Sequence, residues 1–315
     1  GGTMLGKPME VAATDDPEQA RRLGEVCGVE GAAVGANWAF APIIDIDYNW
    51  RNPITNTRTF GSDPDRVRKM GVAYVEEIQK HGMAASVKHF PGDGRDERDQ
   101  HVAISINDMS CEEWDKTYGA AYSACIEAGA KTVMVGHIMH PAYTRYFRPG
   151  IADSEIMPAT VSREIVTNLL RGKLGFNGLI VTDSTTMAGI ATMMPREKMV
   201  PLSIAAGCGM FLFTKSLDED IQYMHKGYED GIITKTRLDE AVTRILALKA
   251  SLGLHKKQEN GTLVPSLEEA KEVVGQAKFR MWSKECADRA ITLVKEEKGV
   301  LPITPDRYKR VLFYS

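Results

Sequence analysis

The chain has no apolar run approaching the roughly 18 residues that a membrane span needs. It also lacks a dominant charge sign. There are 39 Lys and Arg against 42 Asp and Glu, a net charge of −3 with His neutral. Neither nucleic acid nor a membrane surface is therefore an expected partner. Cysteine is sparse: Cys27, Cys111, Cys125, Cys208 and Cys286 are scattered, with no CxxC spacing. That excludes a disulfide framework and a zinc site of the usual pattern, and reads as the reduced thiols of a cytoplasmic protein. Internal repeats and low-complexity tracts are absent. Gly1-Gly2-Thr3 opens without an initiator Met, and residues 308–315 read as a strand with nothing after it to pair with. Both ends therefore read as cut, which leaves room for a lost targeting segment.

What remains is an ordinary globular composition, 43% hydrophobic and 26% charged over 315 residues. That length suffices for one large domain or two modest ones. Apolar strand patterns at residues 38–46, 83–87, 132–138, 178–182 and 210–213 alternate with helical patterns at 17–34, 64–80, 111–128, 162–174 and 237–252. Ser62-x-Pro64 and Ser110-x-x-Glu113 mark helix starts, the second as a capping box. Alternating β and α units predict a parallel sheet or barrel, and uninterrupted runs such as Leu179-Ile180-Val181 predict strands buried on both faces. Five strands fall short of a complete (β/α)8 barrel. The others are expected upstream of Gly1 or too short to recognise. Residues 255–262 read as a polar linker, and residues 266–290 as helical. Strand-like segments follow at 291–295 and 300–303.

Two segments carry chemistry. The first is Lys88-His89-Phe90-Pro91-Gly92-Asp93-Gly94-Arg95-Asp96-Glu97-Arg98-Asp99-Gln100-His101, a basic pair at a strand end followed by a glycine-rich loop and an Asp-x-His dyad. Loops on a rigid scaffold are where catalytic groups concentrate. Lys88 and His89 read as fixed contacts, and Asp99 with His101 as a mobile proton-transfer pair. Side chains alternate along a strand, so Lys88 and His89 share a face only if the chain bends, and Phe90-Pro91-Gly92 is the expected bend. By itself the loop also fits a solvated charged turn. The second segment is Gly178-Leu179-Ile180-Val181-Thr182-Asp183-Ser184, an apolar strand ending in an acid. Asp183 suits a nucleophile or metal ligand at the mouth of a barrel, and equally a helix cap.

Three further positions are candidates. Arg58 lies in a polar loop and offers a fork of donors; its plain alternative is a surface pair with Asp63 or Asp65. His137 follows Met134-Val135-Gly136 at a strand end, where a lone His is usually a satisfied core residue. It is kept as a binding candidate. Asp45 and Asp47 follow the first strand and either cap it or line the site.

On these residues the chain resembles family 3 glycoside hydrolases of the β-N-acetylglucosaminidase (β-N-acetylhexosaminidase) type. Residues 88–101 are similar to the signature KHFPGxGxxxxDxH. Asp183 in Val181-Thr182-Asp183 matches the family nucleophile, and Arg58 in Thr57-Arg58-Thr59-Phe60 matches its sugar-contacting Arg. Pro158-Ala159-Thr160-Val161-Ser162 and residues 170–176 resemble the run ahead of the nucleophile strand. Asp93, Gln100 and Gly209 depart from the family's frequent residues.

The resemblance implies an α/β chain: a TIM-like (β/α) barrel at residues 1–254, N-terminally incomplete. A linker and helical segment at 255–298 would follow, then at 299–315 the first strand of a truncated second α/β sandwich domain. It implies a retaining glycosidase releasing terminal β-linked N-acetylhexosamine. Asp183 would be the nucleophile, His101 the acid/base and Asp99 its orienting partner, with Arg58, Lys88, His89 and His137 as substrate contacts. No cofactor or metal is called for. Because an imidazole repels an anionic acceptor less than a carboxylate does, phosphorolysis with phosphate is the alternative. Two further alternatives stand: a metal-dependent barrel lyase or hydrolase with His89, Asp99, His101 and Asp183 as ligands, and a sugar-binding protein without catalysis.

Overall fold

The computed structural model describes residues 2–312. In chain order its strands are β1 (Trp38–Ala39), β2 (Ala84–Phe90), β3 (Ser105–Ile106), β4 (Thr132–Val135), β5 (Ile138–Met139), β6 (Leu179–Ser184) and β7 (Met210–Leu212). Five of them form one parallel sheet in the order β1-β2-β4-β6-β7. Each strand's neighbours are thus the preceding and following βα units, the winding of a barrel rather than of a doubly wound sheet. The result is a partial TIM-like barrel. All five belong to segments legible in the sequence. The first is much shorter than expected: after Ala39 it is reduced to an isolated bridge between Ile43 and Lys88. The small parallel β3–β5 pair was not expected.

The strands are apolar on both sides because helices cover one side and the barrel interior the other. Ala85, Val87, Val133, Val135, Ile180 and Val181 are fully buried. Pro64–Lys80 shows how the local sequence sets a helix. Asp63 accepts from Asp65 N (2.8 Å) and Arg66 N (3.2 Å), and Pro64 fills the first turn. The cap is therefore Asp63, one residue past the expected Ser62. The Ser110–Glu113 capping box forms as read. The helix it opens passes through a π-helical turn at Asp115–Gly119 before Ala120–Glu127, and the helix ahead of β6 is π-helical throughout, Glu164–Lys173.

Beyond the barrel two expectations change. The expected linker is partly helical (Leu254–Glu259), and residues 266–290 form two helices, Leu267–Val273 and Ala277–Ala290, broken at Gly275 with φ +76°. No strand forms among residues 291–312. The rest of the strand expected at 308–315 lies outside the described residues. Among the described residues no helix is long and apolar enough to cross a membrane.

Candidate active site

Parallel strands bring their C-terminal ends together, and there Lys88, His89 and His137 gather around Asp183. β2 slips register against β4 between Val87 and Phe90. This irregularity lets Lys88 and His89 both act on Asp183 despite strand alternation, and it lies just before the Phe90-Pro91-Gly92 bend expected from the sequence. The His89 ring is almost fully buried. Asp45 accepts from its backbone N–H (3.0 Å) and holds its Nδ1 at 2.7 Å. The carboxylate fixes the proton on Nδ1, leaving Nε2 3.7 Å from Asp183 Oδ2.

Asp183 is not a helix cap. Its Oδ1 accepts from the Ser184 N–H (2.7 Å), and the helix that follows, Ala188–Ala191, starts at Met187 without a side-chain cap. Burial pushes the Asp183 carboxyl up. The imidazoles of His89 and His137, the Ser184 N–H and the Lys88 ammonium outweigh that and hold it below the usual carboxylate range. Asp183 is therefore an anion at neutral pH, 15% exposed, at the end of a buried strand. Burial lowers Lys88, which the Asp183 charge raises and the Arg58 charge lowers further.

Arg58 thus stands close enough to Lys88 for their like charges to interact. Its expected surface pairings do not form: Asp63 caps a helix, and Asp65 pairs with Arg68 at 2.8 Å. Among the described residues Arg58 makes no ion pair; Nη1 has only the Ile54 carbonyl at 3.5 Å. Two like charges near an anionic carboxylate form a polar rim suited to hydroxyl and amide oxygens.

His137 is fully buried, and both ring nitrogens have protein partners. Nε2 lies 2.8 Å from the Ser184 carbonyl and Nδ1 2.7 Å from Thr160 Oγ1. A carbonyl only accepts, so Nε2 carries the proton. Burial lowers the pKa of His137, and Thr160 Oγ1, beside Nδ1, donates its proton to the Gly136 carbonyl at 3.0 Å.

The dyad forms as its spacing suggests. Asp99 Oδ1 accepts from the His101 backbone N–H (2.8 Å) and holds its Nδ1 at 2.7 Å, leaving Nε2 free. His101 is 46% exposed and Asp99 30%. The residues that lead into the dyad are anchored. Tyr118 Oη donates to the Asp93 carbonyl (2.6 Å), Trp114 Nε1 to that of Pro91 (2.7 Å), and Asn52 Nδ2 to that of Asp96 (2.8 Å). Behind these anchors Phe90 packs edge-on against Trp114 and Tyr122, with centroids 5.9 and 4.9 Å away. At the far end, Gly189 N donates to the His101 carbonyl at 3.3 Å. A Cβ at Gly189 would meet the Gln100 carbonyl oxygen at 2.4 Å, so the loop needs that glycine to settle on the turn after β6.

Among the described residues no three His, Cys, Asp or Glu side chains group to hold a metal, so the four ligands of the metal reading do not form one cluster. Sequence reasoning missed the second layer. Asp45 had been noted only as a cap or lining residue. Nothing in the local sequence around Asn52 and Thr160 signals their buried bonds.

Residues 1–248 match the Glycosyl hydrolase family 3 N terminal domain. The chain belongs to this family. A relative from Cellulomonas fimi, named beta-N-acetylglucosaminidase/beta-glucosidase, is 59% identical over 99% of this chain and 55% of its own length. A solved beta-glucoside phosphorylase, BglX, bound to 2FGlc, superposes with a TM-score of 0.93 at 49% identity, covering 97% of this chain and 54% of that one. The family 3 beta-N-acetylglucosaminidase from Paenibacillus sp. str. FPU-7 gives 0.84 at 28% identity, over 94% and 54%. The chain spans about half the length of the curated relatives it matches.

Proposed function

We propose that this family 3 barrel performs retaining cleavage of terminal β-linked N-acetylhexosaminides. The observation that carries the reading is Asp183, an ionised carboxylate at a parallel strand's C-terminal end, with the Asp99–His101 dyad on a loop anchored to the turn that follows that strand. Asp183 attacks the anomeric carbon and forms a glycosyl-enzyme. His101 gives the leaving oxygen its proton from Nε2, then takes one from the incoming water. Asp99 stabilises the imidazolium. Arg58 and Lys88 bind the sugar's oxygens, and His89 steers Asp183 from the Asp45 side. The hexosaminide preference is supported by the names of the Cellulomonas and Paenibacillus relatives.

Phosphorolysis is the second reading, favoured by the 49% identical beta-glucoside phosphorylase. In that case phosphate replaces water at the second step. Both readings are tested by turnover of 4-nitrophenyl N-acetyl-β-glucosaminide, and of the glucoside in parallel, with and without phosphate. The sugar product is analysed as free sugar or sugar 1-phosphate. A 2-deoxy-2-fluoro glycoside should label Asp183, seen by peptide mass spectrometry. Asp183→Ala should lose turnover by about a thousandfold or more, and an adduct on any other residue rejects the assignment.

A further inference from the structure

Asp93 and Gln100 are polar side chains of the dyad loop that are buried almost completely. Asp93 Oδ1 accepts from Gly94 N (2.7 Å) and Asn52 Nδ2 (3.0 Å), with Ser105 Oγ at 3.4 Å. Its Oδ2 accepts from Gln100 Nε2 at 3.0 Å. Each of these partners donates, so the site is built for an acceptor-only carboxylate. That requirement orients Gln100. With its NH2 turned to Asp93, its carbonyl faces the His137 backbone N–H, 3.0 Å away. The His137 ring in turn donates to the carbonyl of Ser184, the residue after Asp183. Gly136 leaves the space this needs: a Cβ there would meet Gln100 Oε1 at 2.9 Å and His89 Cβ at 3.1 Å. Gln100 is also the residue between Asp99 and His101, so displacing its side chain displaces both.

We propose that Asp93 and Gln100 are positioning residues, a directional hydrogen-bonded latch that holds the Asp99–His101 dyad in register with the nucleophile strand. The proposal rests on the reading of His101 as proton donor. It gives the loop's inward side a function distinct from its chemistry: Asp93 fixes which way the Gln100 amide faces, and the amide ties the loop to the end of β4.

The test exploits direction. Asp93→Asn sets an amide NH2 against the Gln100 NH2. Gln100→Glu sets a carboxylate against Asp93. The double variant D93N/Q100E restores one donor facing one acceptor and still offers an oxygen to the His137 N–H. The readout is kcat/KM, which reports glycosylation, for a 2,4-dinitrophenyl glycoside and for an alkyl glycoside of the same sugar. His101→Ala serves as reference, and labelling by the 2-fluoro sugar scores folded protein.

Each single change should cost about tenfold to a hundredfold on the alkyl glycoside, and much less on the activated one. The double variant should recover most of that loss. If His101→Ala itself shows no dependence on the leaving group, the proton-donor reading and the latch fall together. If it does show that dependence, equal losses on both substrates in the single variants overturn the latch alone. So does a double variant no better than either single, in activity or in folded yield.

Discussion

His89 presents Nε2 3.7 Å from Asp183 Oδ2 while Asp45 holds its Nδ1 at 2.7 Å. The carboxylate proposed to attack the sugar is thus faced by an imidazole whose orientation a second, buried carboxylate sets. Asp45 also accepts from the backbone N–H groups of His89 and Asp93, at 3.0 and 2.8 Å. One side chain therefore fixes both the strand end and the start of the dyad loop.

Asp45→Asn should slow kcat/KM about tenfold to a hundredfold. The loss should be similar for good and poor leaving groups, because it acts through His89 on the nucleophile and not on proton donation. A Brønsted plot against leaving-group pKa distinguishes this from a change at His101, which should steepen the slope. A steepened slope for the Asp45 variant would assign it to the acid side.

Gly189→Ala tests the seat of the loop. Its Cβ would fall 2.4 Å from the Gln100 carbonyl oxygen and 3.2 Å from the Ala103 carbonyl carbon, both backbone atoms that cannot rotate away. The loop should lift from the turn after β6. Turnover of unactivated substrates should fall about tenfold or more, with Asp183 still labelled by the 2-fluoro sugar. Proteolysis within residues 95–103 should accelerate. Wild-type kinetics would mean that the loop does not need this seat.

Stability should carry the signature of Asp93. Burial, then the nearby Asp45 charge, raise its pKa to about 6, against the lowering effects of the Gly94 N–H, His89 and Asn52. The folded chain therefore holds the Asp93 proton more tightly than the unfolded chain does. The burial penalty is fully present above about 6 and disappears as pH falls towards the ordinary carboxylate range near 3.8. Relative to Asp93→Asn, the wild type should gain on the order of 2 kcal/mol between pH 7 and pH 4. Denaturant midpoints for the two proteins across that range measure it. A pH-independent difference would show that Asp93 does not titrate with folding.

β2, β4 and β6 were legible because parallel strands buried on both faces leave continuous apolar runs, as Leu179-Ile180-Val181 does. The Pro64–Lys80 helix was legible from its proline and its apolar spacing, although its cap was placed one residue early. The Asp99–His101 contact followed from spacing, since the two residues share one turn of chain. The choice between cap and nucleophile for Asp183 was not legible, because an acid after a strand has the same local sequence in both roles. The Ser184 N–H, and the uncapped helix that follows, remove the cap reading.

The sequence by itself determined the alternation of strands and helices, the acid at the end of β6 and the dyad on its loop. Those depend on neighbours within a few residues. The tertiary structure alone shows that His137 bonds the Ser184 carbonyl, that Asp45 orients His89, and that Asp93 and Gln100 bond to each other. Their partners lie 7 to 47 residues away in the chain. A buried polar atom takes whichever partner the fold brings within reach, and no local pattern encodes that choice.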